Sequence, residues 1–145
     1  MADIWVLVAD SSRARFFRAT SPAGGLEELE DMTDPLVRMP ERELGSDKPG
    51  RAFDRAGQGR HAMGKEVSFR EEEIQAFARE LAHHLREARE AGRYEGLVIA
   101  APPAFLGELR KQIDPQTAAK VHAEVDKDLV KMEVAEIRER LPERL

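Results

Sequence analysis

Ile4-Trp5-Val6-Leu7-Val8-Ala9 is a run without a polar break. An apolar run that does not alternate marks a strand buried on both faces, the central position of a covered α/β sheet. Leu97-Val98-Ile99-Ala100-Ala101, entered through Glu95-Gly96, has the same character, so the sheet has a second buried strand. Pro102-Pro103 ends it, because proline lacks the ladder donor.

The remaining elements follow outward. Asp10-Ser11-Ser12 is a turn cluster, and Ala14-Arg15-Phe16-Phe17-Arg18-Ala19 reads as a second strand in a hairpin with the first. Ser21-Pro22-Ala23-Gly24-Gly25 breaks the chain. Leu26–Met32 is an edge-like third strand with imperfect alternation, whose acids discourage edge pairing. Ser68 with Glu71 makes a capping box, and Ile74, Phe77, Ala78, Leu81, Leu85 and Ala88 keep helical spacing up to a stop at Gly92, giving a helix over Phe69–Ala91. Phe105, Leu106, Leu109 and Ile113 give a second helix, and Asp114-Pro115 caps a short helical turn. Val121, Ala123 and Val125 alternate as a fifth strand, and Val134, Ile137 and Leu141 form one face of a last helix. The order is βββαβαβα. With right-handed crossovers, it predicts a single α/β domain over 1–145 with a mixed five-stranded sheet, the arrangement of ribonuclease-H-like domains.

Composition narrows the function classes. The 145 residues fit one core, and the absence of cysteine excludes disulfides, thiol nucleophiles and thiolate metal sites. Met1-Ala2-Asp3-Ile4-Trp5 has no basic start leading into an apolar run, and no stretch approaches the roughly 20 apolar residues of a membrane span. The expectation is a cytoplasmic protein with no membrane partner. Net charge is −5, but Leu36–His61 holds six cations and four anions, so that window is +2 and the rest −7. A locally basic segment on an acidic body suits docking to RNA at one edge.

That window lies in residues 34–67, which carry no hydrophobic period and are expected to form one long loop, a length that usually accompanies function or disorder. Gly50 to Gly64 contains four glycines, Arg51, Arg55 and Arg60, Gln58 and His61, with Phe53 and Met63 as apolar anchors. Glycine lets backbone N–H groups approach phosphates closely. The candidate RNA contacts are therefore Arg51, Arg55, Gly57, Gln58, Gly59, Arg60 and His61, joined by Arg13 from the first hairpin.

Named chemistries find less support. Two-metal nuclease chemistry needs converging carboxylates, whereas the first strand carries acids only at its ends (Asp3, Asp10) and the fourth only at Glu95. His83-His84 diverge by about 100° on a helix, unsuited to a shared metal. His122 is read as structural. Gly57-Gln58-Gly59 lacks both the Gly-Lys-Ser/Thr ending of a phosphate loop and the dinucleotide spacing. His61 titrates near neutrality if unperturbed, but no triad partner sits beside it. No metal or cofactor is expected. Asp10 is suited to closing its turn; Arg13 and Arg15 share a strand face, where they could meet phosphate or pair with the acidic third strand.

Four blocks, in order, resemble a known family: Val8-Ala9-Asp10 with Arg13-Ala14-Arg15 and Phe17; Gly50-Arg51-Ala52-Phe53-Asp54 through Gly57-Gln58-Gly59-Arg60-His61-Ala62-Met63; Ala101-Pro102-Pro103-Ala104-Phe105-Leu106-Gly107-Glu108-Leu109-Arg110; and Lys127-Asp128-Leu129. Together they resemble the bacterial host attachment proteins over almost the whole chain, departing at Gly64-Lys65-Glu66-Val67-Ser68, where the family's link is richer in proline and aspartate. That family is similar to the middle domain of archaeal and eukaryotic class-1 peptide-chain release factors, in which a Gly-Gly-Gln tip precedes a long helix and enters the peptidyl-transferase centre.

The resemblance places Ala56-Gly57-Gln58-Gly59 at the tip. Ala56 stands where the release factors have glycine, so the tip's location carries over while peptidyl-tRNA hydrolysis does not follow. It implies a ribosome- or tRNA-associated factor in translation quality control or stress. The alternatives are a remnant ester hydrolase using Gln58 or His61, and a factor that supports attachment to host cells indirectly. A binding role is favoured over an enzymatic one.

Overall fold

The computed structural model describes residues 3–34 and 69–145. The elements are β1 (Ile4–Ala9), β2 (Arg13–Ala19), β3 (Leu26–Thr33), α1 (Phe69–Glu90), β4 (Gly96–Ala100), α2 (Pro103–Gln112), α3 (Pro115–Ala118), β5 (Val121–Val125) and α4 (Val134–Glu139). They form one five-stranded sheet in the order β3-β2-β1-β4-β5. β1 pairs antiparallel with β2 and parallel with β4, and β4 pairs parallel with β5. The expected meander with two parallel additions is thus present. The boundaries differ slightly: β3 runs one residue further than read, α1 stops at Glu90, and α4 ends before Leu141, which is nevertheless buried.

The continuous apolar runs are explained by two cores. Trp5, Leu7 and Ala9 of β1 join Phe16, Leu97 and Ile99 on one face, under α1 and α2. Val6 and Val8 join Phe17, Val98 and Ala100 on the other, where Leu129, Val130 and Ile137 of the last segment cover them. Adjacent strand residues point to opposite faces, so Phe16 and Phe17 serve different cores. On the α1 side Trp5 packs against Tyr94 at 5.2 Å between ring centroids, and Tyr94 Oη donates to the Leu85 carbonyl at 2.7 Å. Burial pushes the Tyr94 phenol up to about 12.

The broken alternation of β3 has a local cause. Phe16 pairs with Glu30 and Phe17 with Glu28, so Leu29 is an extra residue, a β-bulge. Residues three apart would ordinarily face opposite sides of a strand. The bulge instead turns Glu28 and Asp31 to the same side, that of Arg13 and Arg15.

Two ends organise the remainder. Gly92 (φ 73°) closes α1 in the left-handed conformation that glycine adopts cheaply, and Arg93 N returns to the Ala88 carbonyl. Asp114 caps α3, accepting from Thr117 N at 3.2 Å and from Thr117 Oγ1 at 2.7 Å, while Arg89 donates to Thr117 Oγ1 at 3.0 Å and lies 3.5 Å from Asp114. Burial raises the Asp114 carboxyl, but those hydrogen bonds and the Arg89 charge outweigh it and hold it below its usual value.

Candidate functional site

The carboxyl ends of β1 and β4 define the edge of interest, since ligands of open α/β sheets bind beyond the carboxyl ends of parallel strands. Asp10 follows β1. Its Oδ1 accepts from Ser12 N at 2.9 Å and Arg13 N at 2.8 Å, closing the hairpin as its position in the sequence suggested. Asp34 N donates to the Ser12 carbonyl at 2.8 Å, so the chain leaves β3 beside that hairpin. Phe77 of α1 stacks on Phe105, at the start of α2 just past β4, with ring centroids 6.1 Å apart. Phe69 lies two helical turns before Phe77, about 12 Å further along the axis. Asp34 and Phe69, the described residues flanking 35–68, therefore sit towards the same edge of the sheet.

The anticipated RNA contacts Arg51, Arg55, Gly57, Gln58, Gly59, Arg60 and His61 fall outside the described residues, as do Ser68 and all but the first residue of the expected 34–67 loop. Arg13 is described. It opens β2, pairs in register with Thr33, and its Nη2 lies 3.7 Å from Asp31 Oδ2.

Arg15 sits deeper and is 8% exposed. Its Nε and Nη2 donate to Glu28 Oε2 and Oε1, both at 3.0 Å, a bidentate fork. Its Nη1 donates to the carbonyls of Val130 at 2.9 Å and Met132 at 2.7 Å. The guanidinium carbon lies 5.2 Å from the Phe17 ring centroid, a cation–π contact. The fork holds Glu28 below the usual carboxylate range and raises the Arg15 proton affinity. Asp31 moves the other way: burial and the neighbouring Glu28 carboxylate make it keep its proton more readily than usual. Of the two readings of Arg13 and Arg15, pairing with the acidic third strand is present, Arg13 with Asp31 and Arg15 with Glu28. The two carbonyls were not foreseen, because their residues are 115 and 117 positions away.

Between Arg13, Arg15 and the segment entering α4 is an open depression of about 360 Å³, lined by Arg13, Arg15, Lys131, Met132, Glu133 and Val134. Sequence reading passed over Lys131, Met132 and Glu133 and took Val134 only as part of the last helix's apolar face; the one available signal was two arginines on one strand face near a turn.

Three histidines, His83, His84 and His122, are among the described residues. His83 is exposed, and His84 packs between Trp5 and Phe16, with Nε2 2.5 Å from Glu30 Oε2 in a contact without hydrogen-bond geometry. His122 is exposed on β5. Among the described residues no group of three or more metal-ligating side chains is placed to hold an ion, and no helix is long and apolar enough to cross a membrane.

A meander extended by two parallel strands, with helices on both faces, makes this an α/β domain. The crystal structure of the archaeal translation termination factor aRF1 superposes on 97% of this chain with a TM-score of 0.52 and 13% identity. At that identity the likeness is one of fold, and the chain spans 35% of that factor's length. The family described as "Protein required for attachment to host cells" matches residues 5–141, and the chain belongs to that family. No curated relative matches it.

Proposed function

We infer that this host attachment family protein is a cytoplasmic RNA-binding factor that engages the ribosome or tRNA, in translation quality control or stress, through its basic glycine-bearing segment. The observation that carries the reading is the shared fold with a translation termination factor across 97% of the chain. Two others support it. Asp34 and Phe69, the flanks of that segment, stand towards one edge of the sheet. The window 36–61 is +2 on a chain whose net charge is −5. Arg51, Arg55 and Arg60 supply the charge that neutralises phosphates, and the glycines around Gln58 allow close backbone approach.

Co-sedimentation of the full chain with ribosomes tests the reading. Association occurs at low salt and falls steeply as salt is raised, by about one unit of log–log slope for each phosphate neutralised. The triple variant R51Q/R55Q/R60Q loses association and flattens that slope. Absence of ribosome or tRNA binding by the wild type at low salt overturns the reading.

A further inference from the structure

The depression beside Arg13 is lined by three cations that are held to different degrees. Arg15 is a fixed wall, its guanidinium engaged by Glu28 and two carbonyls. Arg13 is held loosely: its 3.7 Å contact with Asp31 exceeds hydrogen-bond range, and its side chain is 36% exposed. Asp31 shares its surroundings with the Glu28 carboxylate and, at 3.7 Å, makes no hydrogen bond to Arg13. Among the described residues no carboxylate stands within ion-pair distance of Lys131. Glu133 is the acid on the rim, and Met132 and Val134 supply half-buried apolar surface. The depression is open and has a volume of about 360 Å³.

The geometry points to this depression as a pocket for one nucleotide unit of an RNA strand: Arg13 and Lys131 grip the phosphate, Asp31 is the internal carboxylate that the phosphate displaces from Arg13, and Met132 and Val134 form the apolar wall. The assignment rests on RNA being the partner. Its location fits, because Arg13 pairs with Thr33 and Ser12 holds Asp34, where the chain enters residues 35–68. A guanidinium fork matches phosphate oxygens two at a time, whereas the contact it gives up is a long, half-exposed ion pair of small worth.

Fluorescence anisotropy with a short labelled single-stranded RNA tests the pocket, using the full chain, the variants R13Q, K131Q and D31N, and the triple variant R51Q/R55Q/R60Q. R13Q and K131Q each weaken binding by roughly three- to tenfold and lower the salt slope by about one unit. D31N tightens binding, a gain that misfolding cannot produce. Wild-type affinity in R13Q, K131Q and D31N, with loss in the triple variant, overturns the pocket and leaves the segment's role standing. Loss in R13Q and K131Q with full binding in the triple variant does the reverse. A wild-type chain that binds no RNA overturns both.

Discussion

Replacing Arg15 with methionine keeps an unbranched chain in the sheet and removes the guanidinium. Four hydrogen bonds disappear: two to Glu28 at 3.0 Å and one each to the Val130 and Met132 carbonyls at 2.9 and 2.7 Å. Val130 is fully buried, so its carbonyl is left without that partner in the interior. Orphaning a buried acceptor costs about 1–3 kcal/mol, and hydrogen bonds to a charged group contribute about 1.5–3 kcal/mol. The Glu28 side chain is one-third exposed, which lets water compensate its lost fork and moves that contribution to the low end. The expected loss is about 3–4 kcal/mol. Urea unfolding measures it: with a slope of about 2 kcal/mol per molar, the midpoint falls by roughly 1.5–2 M at unchanged slope. Adding Glu28→Gln to the same chain recovers little, because the two carbonyls stay unpaired. Lysine at this position keeps the charge without the fork and stays well short of wild-type stability. A midpoint within about 0.5 M of wild type for R15M, or full stability for R15K, refutes the view that this guanidinium ties the sheet to residues 130–132.

Glycine to alanine has opposite signs at two positions. A Cβ at Gly107, inside α2, meets nothing within 4 Å, so Gly107→Ala raises stability by about 0.5–1 kcal/mol, read as a higher melting temperature. At Gly92, with φ at +73°, the same change lowers stability by about 1 kcal/mol, and equal effects at the two positions contradict the assignment. Glu28 has its folded pKa below the ordinary carboxylate value, so its contribution is complete above that value and is lost as pH falls through the lowered one. Asp31, shifted upward, contributes with the opposite sign: the folded state gains stability as pH falls through its raised value towards the ordinary one. Melting temperature against pH shows a shallower acid limb in E28Q and higher stability of D31N than wild type at neutral pH. Tyr94 is the single tyrosine, so tyrosinate absorbance reports it alone; its midpoint falls at about 12, and ionisation near the ordinary value would show the phenol in water.

The sheet was legible because its two central strands carry no alternation: Ile4–Ala9 and Leu97–Ala101 are apolar throughout, which only burial on both faces accommodates. α3 was legible through Asp114-Pro115, an N-cap followed by a first-turn proline. The bulge at Leu29 was visible only as irregularity in β3, because the register of an edge strand depends on its partner. Arg15 shows the limit most clearly. Its carboxylate partner lies on the neighbouring hairpin strand and could be anticipated from charge. Its carbonyl partners are set by where the last segment crosses the sheet, a contact between ends of the chain that no local pattern encodes.

The same crossing joins the fold to the proposed chemistry. Leu129 and Val130 are drawn into the second core by apolar burial, which carries Lys131 and Met132 across the face of β2. Arg15 then fixes that crossing from below through two carbonyls, leaving Arg13, one pleat along the same face, with its loose hold on Asp31. An arginine consumed by structure and an arginine left at the surface thus sit two residues apart on one strand. Their consequences separate accordingly: loss of Arg15 is read first in unfolding, and loss of Arg13 is read in RNA affinity at nearly wild-type stability, because its ion pair is exposed and contributes no more than about 1 kcal/mol. Should Arg13→Gln unfold the chain as Arg15→Met does, the division of labour between the two is wrong and the pocket reduces to part of the same internal clamp.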